Sequence, residues 1–260
     1  MNNINNTDSV KKQYANAGSL SARMSIHDKY STNKLGFRNW IFANYKIEEG
    51  MRVLELGCGT GDIWKSRQDT INRASELILS DFSEGMLASA KATLSGCENI
   101  KYELIDIKAI PYEDEAFDIV IANMMLYNVP DMDKALSEVY RVLKQGGKFY
   151  SATYGEHGIM EYLAKIFSAY GVRDDSSKSF TLQNGDVILK RYFNSVEKLL
   201  YIDSLAVTNI DDMVEYIASM SSMAAIGGMP KSRVKEILCE NMTGGVLNVP
   251  KEYGMFVSTK

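Results

Sequence analysis

The chain has 260 residues, 45% of them hydrophobic and 24% charged, which is the make-up of a globular protein long enough for one large core. A formal net charge of −4 argues against a life on nucleic acid or on an anionic membrane, and no stretch nears the roughly 20 apolar residues of a membrane span. Three scattered cysteines and two histidines, with no CxxC or HExxH spacing, offer no disulfide framework and almost no zinc ligands, so a cytoplasmic protein without a metal is expected.

The N-terminal stretch MNNINNTDSVKKQYANAG lacks the apolar centre of a secretory signal. Residues 9–45 then carry mixed helical patterning with many aromatics, as expected of one or two helices folded over something. From Met51 onward strand and helix signals alternate. MRVLEL reads as a first strand, followed by a helix opening at Asp62. ELILSD is a second strand, and Ser83 is placed to cap the helix after it. IKYELID and FDIVIAN are a third and a fourth strand, the latter continuously apolar as a strand covered on both faces should be.

Next comes a helix with Met132, Leu136, Val139 and Leu143 at helical spacing, Asp131 as its cap and Gly146 as its stop. KFYSATY makes a fifth strand. Strand–helix units in this series predict an α/β doubly wound, mainly parallel sheet with helices on both faces. The last hundred residues hold helical segments at GIMEYLAKIFSAYG, NGDVILKRYF, IDDMVEYIASM and KSRVKEILCENM. Strand signals appear there at VEKLLYID and EYGMFVST. They are expected to complete the sheet, with inserted helices near the C-terminus. Three regions are expected within one structural domain: an N-terminal helical lid over 1–45, a ligand-binding core over 46–154 and the completing segment over 155–260.

Open α/β sheets bind ligands beyond the carboxyl ends of their strands, where the strand order reverses. The first strand–helix turn, ELGCGTG, is therefore the expected binding loop, with Glu55 before it and Gly57, Cys58 and Gly59 in it. It lacks the GxGxxG of a dinucleotide site and the GxxxxGK[ST] of a phosphate loop, and Glu55 and Asp62 are awkward neighbours for an anion. Asp81, twenty positions beyond Gly61, has the spacing at which a carboxylate accepts the hydroxyls of an adenosine ribose. Asp106 and the backbone of Ile107 are placed for an adenine edge, and Phe82 and Met86 for its faces. The ligand that emerges is adenosine with a zwitterionic, phosphate-free tail.

VLELGCGTG, SDFSEGML, IPYEDEAFDIVIAN and ALSEVYRVLKQGGKFY together resemble class I S-adenosylmethionine-dependent methyltransferases, in particular the ubiquinone/menaquinone-biosynthesis group and related small-molecule enzymes. The resemblance covers about residues 51–153. It implies a seven-stranded Rossmann-like sheet, S-adenosyl-L-methionine as cofactor and a small-molecule methyl acceptor, with neither nucleic acid nor membrane as partner. It also implies that Asn123 lines the tail pocket, and that Tyr14 and Arg23 lie in a segment covering the cofactor, Arg23 against the methionine carboxylate. His27, Tyr127 and His157 are the catalytic candidates, as bases or, for Tyr127, as an aromatic face toward a cation. Asn128 stands near the position where the family often carries a histidine, and an amide cannot serve as a base at neutral pH. A nicotinamide-dependent oxidoreductase and a catalytically silent S-adenosylmethionine-binding partner stay open as alternatives.

Overall fold

The structure, a computed structural model, describes residues 25–220, 226 and 228–260. Seven strands form one sheet: β1 Arg52–Leu56, β2 Glu76–Asp81, β3 Ile100–Leu104, β4 Phe117–Ile121, β5 Leu143–Tyr154, β6 Ser195–Val207 and β7 Leu247–Thr259. Their order is β3-β2-β1-β4-β5-β7-β6. The first five strands are parallel, and β7 runs antiparallel to both β5 and β6. The expected doubly wound sheet is thus present, with its order reversing between β1 and β4.

Alternation along the strands divides the core. Leu54, Ile78 and Val120 face a cluster that includes Leu136 and Val139 of helix α4 (Met132–Val142). Their neighbours Val53, Leu77 and Ile119 face a second cluster with Trp64 and with Leu87 and Ala90 of α3 (Glu84–Thr93). Helices α1 (Phe37–Ala43) and α2 (Gln68–Arg73) precede these. Each valine, leucine or isoleucine buried in this way contributes about 1.5–3 kcal/mol relative to an exposed one, which is why strands covered on both faces read as unbroken apolar runs.

A third core lies under the far end of the sheet. There Leu205 and Val207 of β6 and Leu247 and Val249 of β7 meet α5 (Ile159–Ile166), α7 (Ile210–Ala218) and α8 (Lys231–Glu240). Helix α6 (Gly185–Leu189) packs on the first cluster instead. The helical segment 25–30 leads into a short pairing with the outer edge of β6: Ser31 bridges Leu205, and the Thr32 N–H donates to the Ser204 carbonyl at 2.9 Å.

Two caps form as expected. The Ser83 hydroxyl accepts from the Met86 N–H at 3.4 Å, and the Asp131 carboxylate accepts from the Lys134 N–H at 3.0 Å. Two other expectations change. The helix expected to open at Asp62 is a single 3-10 turn, Asp62–Trp64, separated from α2 by an extended Lys65 and by Ser66 at φ 61°. Trp64 is drawn beneath the turn by Glu55, which breaks the helical run. Gly146 does not end α4, because Leu143 is already extended and the chain passes straight into β5. Gly146 instead turns the chain at φ 74° and donates its N–H to the Lys260 carbonyl at 3.0 Å. β3 likewise stops at Leu104, so Asp106 lies in the turn two residues past it.

Candidate active site

A cleft of about 850 Å³ runs across the carboxyl ends of the strands at the reversal point. Gly57, Gly59, Asp81, Phe82, Met86, Asp106 and Ile107 line it at one end, and His27, Tyr127, Lys251 and Tyr253 also line it. Seven of the twelve expected binding residues and two of the three catalytic candidates therefore come together on one wall system. Tyr14 and Arg23 lie outside the described residues.

The loop after β1 is held by its neighbours rather than by itself. Cys58 donates its N–H to the Ser80 carbonyl at 2.8 Å. The Gly59 N–H donates to one oxygen of Asp81 at 3.0 Å, and the Ser83 N–H to the other at 2.9 Å. Gly59 has φ 57°, and a Cβ there would meet nothing within 4 Å, so it opens onto free space in the cleft. Gly61 serves packing instead. At φ 72°, a Cβ on it would press to 3.0 Å from Leu94 Cδ1 and 3.3 Å from Ala90 Cβ.

Asp81 is buried at the end of β2, and burial raises its pKa above the usual aspartate value against the opposing pull of its backbone donors. A carboxylate offers about four lone-pair sites, so the Gly59, Ser83 and Phe82 backbone donors still leave room for a ligand hydroxyl. Asp106 is more exposed. It accepts the Lys108 N–H at 3.0 Å and lies 3.5 Å from the Lys108 ammonium.

Three expected binding residues sit behind the cleft wall instead of on it. Glu55 is buried and accepts from Trp64 Nε1 at 2.6 Å, and burial pushes its carboxyl up to about 7 despite the indole and the Asn123 amide. Asn123 donates to the Tyr45 hydroxyl at 2.5 Å and accepts from the Ala152 N–H at 3.3 Å. The Cys58 thiol is buried, which raises its pKa. These groups brace the floor on which the glycine turn rests.

The catalytic candidates separate clearly. Tyr127 lines the cleft, with its ring 4.6 Å from that of Tyr154, and its carbonyl accepts from Ser177 and Ser179 at 2.8 and 2.9 Å. His27 lines the cleft too. Burial and the nearby Lys251 drive its pKa down to about 3. His157 does not reach the cleft: it is exposed beyond β5, with Nδ1 3.3 Å from Glu161, because that loop turns out toward α5.

Several cleft residues were not anticipated. Met124, at φ 52°, and Met125 follow β4, and Phe37 and Arg38 come from α1. Arg38 reaches both Asp28 (3.5 Å) and Asp62 (3.8 Å), linking the 25–30 segment to the glycine turn. Lys251 and Tyr253 come from β7. Among the described residues no cluster of three or more metal-ligating side chains occurs, and no helix is long and apolar enough to cross a membrane.

This sheet order, with a glycine turn after β1 and carboxylates after β2 and β3, is that of a class I S-adenosylmethionine-dependent methyltransferase fold. Residues 47–196 match the family described as Methyltransferase domain, and the chain belongs to that family. It is 32% identical over 142 residues to the demethylmenaquinone methyltransferase of Staphylococcus aureus, covering 55% of this chain and 58% of that one. It is 33% identical over 127 residues to the ubiquinone/menaquinone biosynthesis C-methyltransferase UbiE of Escherichia coli, covering 48% and 50%. The chain thus matches about half the length of these curated relatives.

Among solved structures, the YcgJ protein of Bacillus subtilis superposes with a TM-score of 0.58 at 18% identity, over 86% of this chain and 97% of that one. Phosphoethanolamine N-methyltransferase 2 of Haemonchus contortus gives 0.59 at 19% identity, over 99% and 59%. The [4+2]-cyclase SpnF shares the fold as well, at 0.53 and 18% identity over 86% and 80%, so the fold by itself does not dictate the chemistry. Nothing in these comparisons favours a nicotinamide oxidoreductase.

Proposed function

We propose that the protein transfers a methyl group from S-adenosyl-L-methionine to a small, oxygen-bearing aromatic acceptor of the quinol type. The observation that supports this reading is the lining of the cleft. At one end it offers an open glycine turn beside Asp81 and Asp106, and elsewhere along it aromatic and apolar side chains such as Tyr127, Tyr253 and Met125. The donor set fits the cofactor, since Asp81 keeps a lone-pair site free and Gly59 leaves space for a tail.

In this reading Asp81 accepts a ribose hydroxyl, the Asp106 turn meets the adenine edge, and Phe82 and Met86 cover its faces. When bound, S-adenosylmethionine supplies a methyl carbon already activated by a positive sulfur. The protein's remaining task is to hold the acceptor in line and exclude water, which is worth several kcal/mol of barrier. Phe37, Tyr127 and Tyr253 provide the wall for that. The quinol class rests on the names of the matched relatives and on this aromatic lining. A cytoplasmic location is in keeping with three unpaired cysteines.

Titration calorimetry with S-adenosylhomocysteine, followed by a screen of quinols and other phenols with labelled methyl donor read by mass spectrometry, tests this function. Asp81→Ala is expected to weaken S-adenosylhomocysteine by about 30- to 100-fold, since a ribose hydrogen bond to a charged group is lost. Unchanged affinity in that variant, or labelled product only on amines, would overturn the proposal.

A further inference from the structure

The wall of the cleft formed by His27, Lys251 and Tyr253 lies outside the stretch matched by the family, 47–196, and carries an arrangement that the proposed function does not yet use. Lys251 and Asp203 face each other directly across the β6–β7 pairing, one step beyond Leu205–Val249 on the same face. Both side chains are buried, at 1% and 0% exposure, and form an ion pair. Ser31 donates to Asp203 and accepts from the Lys251 ammonium at 3.0 Å. The Asn33 and Ser204 N–H groups add bonds to Asp203 at 2.9 and 2.8 Å. The ammonium stands 5.3 Å from the Tyr253 ring centre.

His27 leans on that same ring, with centroids 6.0 Å apart, and meets Tyr216 edge-on at 5.9 Å. Its Nδ1 is buried and has no hydrogen-bond partner among the described residues. Contact with a ligand in the cleft therefore falls to Nε2.

The chemistry of that ring follows from what surrounds it. The charged and titratable groups on the elements around it are Lys251 and Tyr253 of β7, Asp203 of β6, Tyr216 of α7 and Asp28 of its own segment. A proton on Nδ1 would be a buried donor without an acceptor in the field of an ammonium. A lone pair there is attracted by the same field. Taking up a second proton would place one on Nδ1 in any case, so a base role at Nε2 meets the same obstacle.

We infer that Lys251, clamped by Asp203 and Ser31, is a positioning residue that holds His27 as the neutral imidazole with its proton on Nε2. His27 therefore meets the acceptor as a hydrogen-bond donor to a carbonyl or phenolic oxygen and not as a base. The acceptor half of this statement rests on the proposed function; the tautomer does not.

The chain's two histidines make the test direct. In the protein with 15N-labelled histidine, His157→Gln identifies the other resonance. His27 is expected to show a pyridine-type Nδ1 and a protonated Nε2 that stay unchanged from pH 5 to 9. A protonated Nδ1, or an imidazolium at pH 7, overturns the inference. The charge-neutral pair Lys251→Met with Asp203→Asn is expected to release the ring into mixed tautomers or protonation, with retained S-adenosylhomocysteine binding reporting an intact fold. An unchanged tautomer in that protein also overturns it. On an acceptor from the screen, His27→Gln, which keeps an N–H donor and offers no base, should retain kcat/KM within about 3-fold while His27→Ala loses about 10-fold or more. Equal losses overturn the donor role. Because the spectra are taken without methyl transfer, an empty acceptor screen counts against the proposed function and leaves the tautomer result standing.

Discussion

At one end of the cleft Gly59, Asp81 and Asp106 come from the ends of β1, β2 and β3, each within a few residues of the strand that presents it. The wall around Lys251 is assembled otherwise. His27, Asp203 and Lys251 are brought together by an antiparallel register and by the pairing of residues 31–33 with β6, and each lies far from the others along the chain. At the first end the Asp106 side chain is 55% exposed and open to solvent. The second seals its charges from water and must satisfy them internally. One end depends on local turn chemistry and the other on long-range pairing, so substitutions should affect them through different quantities, ligand affinity at the first and folding stability at the second.

The sharpest way to break that contrast is to remove one member of the sealed pair. Lys251→Met leaves the Asp203 carboxylate buried without its cation and is expected to lower stability by about 3–5 kcal/mol. Adding Asp203→Asn should recover most of the loss, because two neutral groups of similar volume carry no such penalty. Urea unfolding of the three proteins measures both steps. A single variant as stable as the parent would show that water reaches the pair, and the contrast between the two ends would fail.

A second test concerns the floor beneath the glycine turn. Glu55 is raised by burial from 4.5 to about 7 in the folded protein. The folded state then holds a proton that the unfolded chain has released, so stability is greatest below about pH 4.5 and falls as the pH rises to about 7. The total decline from this group is about 3 kcal/mol. Glu55→Gln keeps an oxygen for the Trp64 indole N–H and removes the charge, so it should flatten that slope and gain stability at pH 8. Unfolding midpoints at pH 5 and pH 8 for parent and variant measure it. A slope that persists in the variant would assign the pH dependence elsewhere.

Much of this architecture is legible in the sequence because it is local. VLELGCGTG announces a buried strand entering a side-chain-poor turn, and the acids after the next two strands follow at readable spacing. Glu55 is legible as part of the site but not as its underpinning, since its partner Trp64 sits in a stretch that reads as helix. Asn123 is similar: its position after β4 is readable, whereas its bond to Tyr45, 78 residues earlier, is not. His157 shows the opposite error, because a histidine just past a strand end can turn outward when the following helix draws its loop away from the cleft. The Lys251–Asp203 pair gives no sequence signal until the β6–β7 register is known. Only then do Asp203, Leu205 and Val207 prove to share a face with Lys251, Val249 and Leu247.

The smallest expected effect calibrates the others, because it belongs to neither end. Asp131 caps α4 through the Lys134 N–H at 3.0 Å and is not part of the cleft wall. Replacing it with alanine leaves one N-terminal donor of α4 to water, which costs about 1 kcal/mol. The helix itself stays anchored by Ala135, Leu136, Val139 and Val142, all fully buried against the sheet. Asp131→Ala should therefore lower the urea midpoint modestly and leave S-adenosylhomocysteine affinity within about 2-fold of the parent, since 0.4 kcal/mol corresponds to that factor. A large affinity loss in this variant would mean that stability and binding are coupled through α4. The separation of local and long-range effects argued for the two ends of the cleft would then have to be drawn at the sheet as a whole.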